Sequence, residues 1–90
     1  MLTIWFLSGL KEAVGRTEVR LDYRGTVSGL LEELGKSYGQ RWRERVFAED
    51  APTRRNPFVK ILVNGEDIRD EDPELAGDET LIFFMPVAGG

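Results

Sequence analysis

The sequence contains neither cysteine nor histidine among its 90 residues. Without cysteine there are no disulfides, no thiolate metal sites and no cysteine nucleophile, and nothing indicates an oxidising compartment. Without histidine the usual near-neutral acid–base group is missing, as is the commonest transition-metal ligand. Carboxylate chemistry remains, but Asp70-Glu71-Asp72-Pro73-Glu74 lacks the spacing of a Ca²⁺ loop and reads as a solvated turn. No metal site is expected, and a free-standing enzyme of this length is not. Long apolar runs are also lacking: none approaches the roughly 18 to 20 residues of a membrane span. Met1 to Leu10 is apolar, yet it has no basic leading region and no small-residue cleavage site, so it reads as a first strand in a cytoplasmic protein. An excess of positive charge is absent too. Lys and Arg number 12 against 16 Asp and Glu, a net charge of −4, which argues against binding nucleic acid or anionic membranes.

What is present suits one folded domain spanning 1–90. Apolar residues make up 41% and charged residues 31% of the chain, ordinary values for a globular unit with a single core. Leu2, Ile4 and Phe6 alternate with Thr3, Trp5 and Leu7, a strand apolar on both sides and therefore central. Leu10 to Val14 suits one helical turn. Val19, Leu21 and Tyr23 alternate with charged residues as a half-exposed second strand. Thr26 or Ser28 can cap a helix in which Val27, Leu30, Leu31, Leu34 and Tyr38 recur at spacings of three and four. Gly35 or Gly39 marks its end, and Gln40 to Ala48 can pack Trp42 and Val46 as a short second helix. Arg41, Arg43 and Arg45 read as a solvated face with Glu44 and Glu49.

Glu49 to Pro57 reads as a surface loop. Phe58 to Val63 is a strand, Asn64-Gly65 favours a two-residue type I′ turn, and Ile68 starts a short return strand. After acidic turns, Gly77-Asp78 opens a last strand through Leu81-Ile82-Phe83-Phe84-Met85. The register of that strand is ambiguous, because a one-residue slip exchanges its two faces. Strand, strand, helix, strand, strand, with apolar first and last strands, predicts an α+β fold. A mixed sheet would carry the terminal strands side by side and one main helix on one face, the β-grasp architecture. Pro86 is a poor continuation of a central strand. The residues from Pro86 to Gly90 can reach roughly 15 Å beyond the sheet at about 3.3 to 3.6 Å per residue, and Gly89-Gly90 fits channels closed to larger residues.

The run from Phe58 to Arg69, with Val63-Asn64-Gly65-Glu66 at its centre, is followed by Leu75-Ala76-Gly77-Asp78-Glu79 and the ending Pro86-Val87-Ala88-Gly89-Gly90. Together these resemble the MoaD and ThiS family of ubiquitin-like sulfur carriers. Trp5-Phe6-Leu7 and Leu10 to Gly15 are similar to the family's first strand and following turn. The length and the ending look more like MoaD, the small subunit of molybdopterin synthase, than the shorter ThiS. One departure is Phe84-Met85-Pro86, which stands where that subfamily often has consecutive prolines.

The resemblance implies that the Gly90 carboxylate is adenylated by a ubiquitin-activating-type (MoeB-like) enzyme that uses ATP, and is then converted to a thiocarboxylate. It further implies that the MoaE-like large subunit of molybdopterin synthase receives the tail, Pro86, Val87, Ala88 and Gly89 leading to Gly90. The chain would bind no cofactor and would not be catalytic alone. The docking surface is expected from the outward-facing members of Phe83, Phe84 and Met85, since interfaces favour aromatic and Met anchors. A carrier for thiamine or tRNA thiolation, a protein modifier joined to lysines through Gly90, and an interaction domain with an inert tail are the other readings.

Overall fold

The computed structural model describes residues 1–86, with residues 52 and 53 described as backbone only. In chain order the elements are β1 (Leu2–Phe6), α1 (Lys11–Val14), β2 (Glu18–Leu21), β3 (Gly25–Thr26), α2 (Val27–Tyr38) and α3 (Gln40–Val46). There follow β4 (Phe47–Ala48), β5 (Ala51–Arg55), β6 (Lys60–Val63), β7 (Glu66–Asp67), β8 (Glu74–Leu75) and β9 (Thr80–Phe84). The main sheet has the order β2-β1-β9-β6-β7. The two most apolar strands lie side by side in its centre as a parallel pair, with Ile4 opposite Leu81 and Phe6 opposite Phe83. Their antiparallel neighbours are β2 beside β1 and β6 beside β9.

Alternation along the central strands sends Leu2, Ile4, Phe6, Leu81 and Phe83 into the core, each with no exposed surface. This resolves the register of the last strand: Leu81 and Phe83 face inward, and Ile82 and Phe84 face outward with Trp5 and Leu62. The helix α2 covers the inner face with the stripe Val27, Leu30, Leu31 and Leu34, all buried. Its start is set by Thr26, whose hydroxyl accepts the Gly29 N–H at 3.1 Å, satisfying one of the unpaired first-turn donors. At its other end the Gly39 N–H reaches the Gly35 carbonyl at 2.8 Å, and α3 follows at once. From α3, Trp42 and Val46 enter the same core.

Several local details depart from the sequence reading, among them a two-stranded pairing of β3 with β8 where turns were expected. The segment expected as a loop from Glu49 to Pro57 contains β5, which pairs with β4 as a small separate ladder. Phe47 and Ala48 are buried, so the hairpin gains packing that its polar composition does not advertise. The Arg55 guanidinium fastens it by donating to the Arg69 and Glu71 carbonyls at 2.7 and 2.9 Å. The return strand begins at Glu66, two residues before Ile68, because the turn at Asn64-Gly65 is as short as a hairpin allows. Both residues have positive φ, 51° and 87°, as a type I′ turn requires.

The turn that launches β9 is held by one carboxylate. Glu79 accepts from the backbone N–H groups of Ala76, Gly77 and Asp78 at 2.7, 2.9 and 3.1 Å. The Ala76 bond foremost, helped by those from Gly77 and Asp78, holds its carboxyl below the usual value against a smaller opposing effect of burial. A carboxyl with a depressed folded-state pKa stabilises the fold above its unfolded titration and loses that contribution as pH falls through the folded value. Glu79→Gln is therefore expected to cost about 1 kcal/mol at pH 7, charge-assisted bonds discounted for exposure. Urea denaturation should show the difference from wild type shrinking below pH 4.5, the ordinary value for this group.

Candidate functional site

The geometry that matters for the tail is where β9 lets go of the sheet. Strands β1 and β9 run in parallel and β6 runs against them, so the end of β9, the end of β1 and the start of β6 share one edge of the fold. Past Phe84 the chain keeps one more sheet-like contact: the Met85 N–H donates to the Ser8 carbonyl at 2.8 Å. Pro86 has no N–H to offer and is exposed. The proposed tail residues Val87, Ala88, Gly89 and Gly90 lie outside the described residues.

Beside this exit the outer face of the sheet is apolar. Trp5 and Leu7 are 37% and 40% exposed, and the register places Ile82 and Leu62 beside Trp5 and Phe84 beside Lys60. Ile82, Phe84 and Leu62 are half-buried. Phe58, in the turn that leads into β6, is 68% exposed, an unusual position for so large an apolar side chain. Apolar residues clustered on the exposed face of a sheet are candidates for a binding surface.

Of the three residues expected on the docking surface, Phe84 is on this face. Phe83 is not: it is fully buried and packs against Phe6 and Trp42 at ring distances of 5.7 and 5.9 Å, because the pleat turns alternate residues inward. Met85 is half-buried and packs on the core edge. Trp5, Leu7, Ile82 and Phe58 were missed. The double-sided alternation of the first and last strands was the available signal for the first three, and nothing in the sequence singled out Phe58.

Two of the three arginines of α3 are bound within the chain, while Arg41 is exposed. Arg43 pairs with Glu32 at 3.2 Å, and the Arg45 guanidinium donates to the Gly9 carbonyl. A depression lined by Arg54, Arg55, Lys60 and Arg69 also carries Asp67, Asp70 and Asp72, so it presents no single-sign field to an anion. Among the described residues, no group of three or more His, Cys, Asp or Glu is placed to hold a metal ion. No helix among them is long and apolar enough to cross a membrane. Tyr23, its hydroxyl pushed up chiefly by burial while it donates to the Thr26 carbonyl at 2.8 Å, braces the start of α2. Among the described residues the site is thus an apolar face beside the point where the chain leaves β9.

The ThiS family model matches residues 4–90. The chain belongs to the ThiS family. This family of ubiquitin-like sulfur carriers includes MoaD-like proteins, and the β-grasp fold is shared with solved relatives. SAMP1 from Haloferax volcanii is 27% identical with a TM-score of 0.76, the alignment covering 99% of this chain and 98% of that one. A putative molybdopterin converting factor, subunit 1, from Pyrococcus furiosus is 26% identical with a TM-score of 0.68 over 96% and 97% of the two chains. The small archaeal modifier protein 1 of Methanosarcina acetivorans, at 23% identity, matches in fold with a TM-score of 0.81 over 99% and 95%. No curated protein matches the sequence. For this ThiS-family chain the outer face around Phe84 and Ile82 therefore adjoins the segment leading to the terminal glycines.

Proposed function

We propose that this chain carries sulfur on Gly90 for molybdopterin synthesis, as the small subunit of molybdopterin synthase. The observation that carries the reading is the placement of Pro86. The last strand of a ThiS-family fold brings the chain to an exposed edge beside an apolar docking face, four residues before Gly90. A carboxylate is ionised at neutral pH and is a poor acyl donor. An activating enzyme of the MoeB-like type would join it to the α-phosphate of ATP and release pyrophosphate. Attack by a persulfide would expel AMP, and thiol cleavage of the acyl disulfide would leave the thiocarboxylate. The chain would hold no cofactor itself. A MoaE-like large subunit would then receive the tail and supply the catalytic groups, which accounts for the absence of His and Cys here: this partner needs only a reactive end held in place.

Likeness to the Pyrococcus furiosus protein supports the molybdopterin assignment. The similar likeness to SAMP1 supports a second reading, a modifier joined through Gly90 to lysines of target proteins. The deciding experiment supplies the thiocarboxylated chain to a molybdopterin synthase large subunit and a cyclic pyranopterin phosphate. Dithiolene product is expected. Its absence, together with target peptides bearing Gly90 on lysine in cell extracts, would establish the modifier instead.

The outer face gives its own prediction. Phe84→Asp is expected to weaken binding of the activating enzyme or the large subunit by about 2 kcal/mol, roughly 30-fold in Kd. Phe84 is outside the core, so the melting temperature should stay close to wild type. Isothermal titration and calorimetric melting check the two halves separately.

A further inference from the structure

We propose that Arg45 is a positioning residue that sets the direction in which the tail leaves the fold, a role that rests on the function proposed for Gly90. Arg45 is half-buried in the last turn of α3, and it holds the segments on both sides of the exit. Its guanidinium donates to the Gly9 carbonyl. Gly9 adjoins Ser8, whose carbonyl accepts the Met85 N–H at 2.8 Å. Met85 in turn lies directly over Gly9: a Cβ built on that glycine would meet the Met85 Cβ at 3.1 Å and its sulfur at 3.3 Å. Gly9 also has φ +84°, where other residues are strained.

On the opposite side, the Arg45 carbonyl accepts from the Asn56 side-chain amide at 2.9 Å. Asn56 shapes the turn into β6 by accepting the Phe58 N–H at 2.9 Å through its side chain and the Val59 N–H at 3.0 Å through its carbonyl. That turn runs into Lys60, the residue paired with Phe84. One residue of α3 thereby fixes the Ser8-Gly9 bend and the Asn56–Phe58 turn relative to each other, and Met85-Pro86 passes out between strands that these two segments flank. Reactive ends must be held closely to be processed at a fixed enzyme site, and supporting contacts behind the reacting segment supply that precision. A side chain that merely solvated α3 would not direct its donors at a loop carbonyl 36 residues away in sequence.

The test uses the full chain as Arg45→Met, Arg45→Lys and Gly9→Ala. Arg45→Met keeps much of the stem and removes the donors, while Gly9→Ala presses on Met85 from the other side. Amide hydrogen exchange is read at Met85, and at Thr3, whose N–H bonds to the Glu79 carbonyl at the far end of β9 at 3.1 Å. Exchange at Met85 is expected to quicken about tenfold in Arg45→Met and Gly9→Ala while Thr3 is unchanged, the mark of a local opening. With the activating enzyme, KM for the chain should stay within about twofold, because the docking face is intact, while kcat falls about tenfold; Arg45→Lys should recover part of the loss.

Equal acceleration at Met85 and Thr3 would reduce Arg45 to a general stabiliser and overturn the proposal. So would unchanged exchange at Met85, or a rise in KM at constant kcat. If the wild-type chain is not activated at all, the function proposed for Gly90 fails, and the exchange comparison still decides whether Arg45 holds the exit.

Discussion

Trp42→Ala is expected to destabilise the fold by about 3 to 5 kcal/mol, the range for truncating a buried aromatic. For a chain of this length the whole stability is about 5 to 13 kcal/mol, so much of the protein would be unfolded by mild urea. The size of the effect follows from what one side chain does. Trp42 packs edge-on to Phe6 at 5.5 Å and nearly parallel to Phe83 at 5.9 Å, joining α3 to both central strands. Its indole N–H donates to the Leu31 carbonyl at 3.0 Å, tying α3 to α2. Trp42→Phe keeps most of the apolar volume and removes the N–H donor, so it should cost less, about 1 to 3 kcal/mol. Urea titrations of both variants by circular dichroism check the ordering; equal losses would mean that the hydrogen bond outweighs the aromatic packing.

Deleting Gly89-Gly90 is expected to do the reverse: to abolish activation while leaving stability untouched. The buried strand residues end at Phe83 and the last described hydrogen bond of the chain end is that of Met85, so the shortened chain should melt within about 4 °C of wild type, a surface-scale effect. Activation should fall below detection, because the new end, Ala88, is shorter by two residues, roughly 7 Å of extended reach. ATP-pyrophosphate exchange with the activating enzyme and a melting curve on the same sample separate the two effects. A shortened chain that is still activated would show that the glycines are dispensable.

The sequence carried the central features of the fold because periodicity reports burial directly. The stripe of Val27, Leu30, Leu31 and Leu34 could face only one layer, and two strands apolar on both sides had to sit in the middle of the sheet. A hydroxyl cap at Thr26 or Ser28 and Asn64-Gly65 as turn were legible for local reasons, each answering a specific backbone need, and the structure chose Thr26. The face assignment of Leu81 to Met85 was not legible, because every residue in that run is apolar and the choice depends on pairing with β1 across the sheet. Phe83 was accordingly placed among the docking residues, although it belongs to the core.

The hairpin of β4 and β5 was hidden for the opposite reason. Its sequence is polar and holds Pro52, and the packing that sustains it comes from Phe47 and Ala48, which the helical reading had absorbed. Arg45 looked like one of three interchangeable charges on a solvated face. Its distinction lies in a carbonyl 36 residues away in sequence, a partner no local pattern can indicate.

The first measurement to make is the intact mass of the chain purified from its own cells, with the peptide beyond Arg69 examined for sulfur in place of oxygen at Gly90. The sulfur-carrier account predicts a thiocarboxylate on Gly90, appearing also when the purified chain is incubated with ATP, a sulfur donor and its activating enzyme. A carboxylate that stays unmodified under both conditions would contradict it and leave an apolar-faced β-grasp domain that binds partners without chemistry at its end.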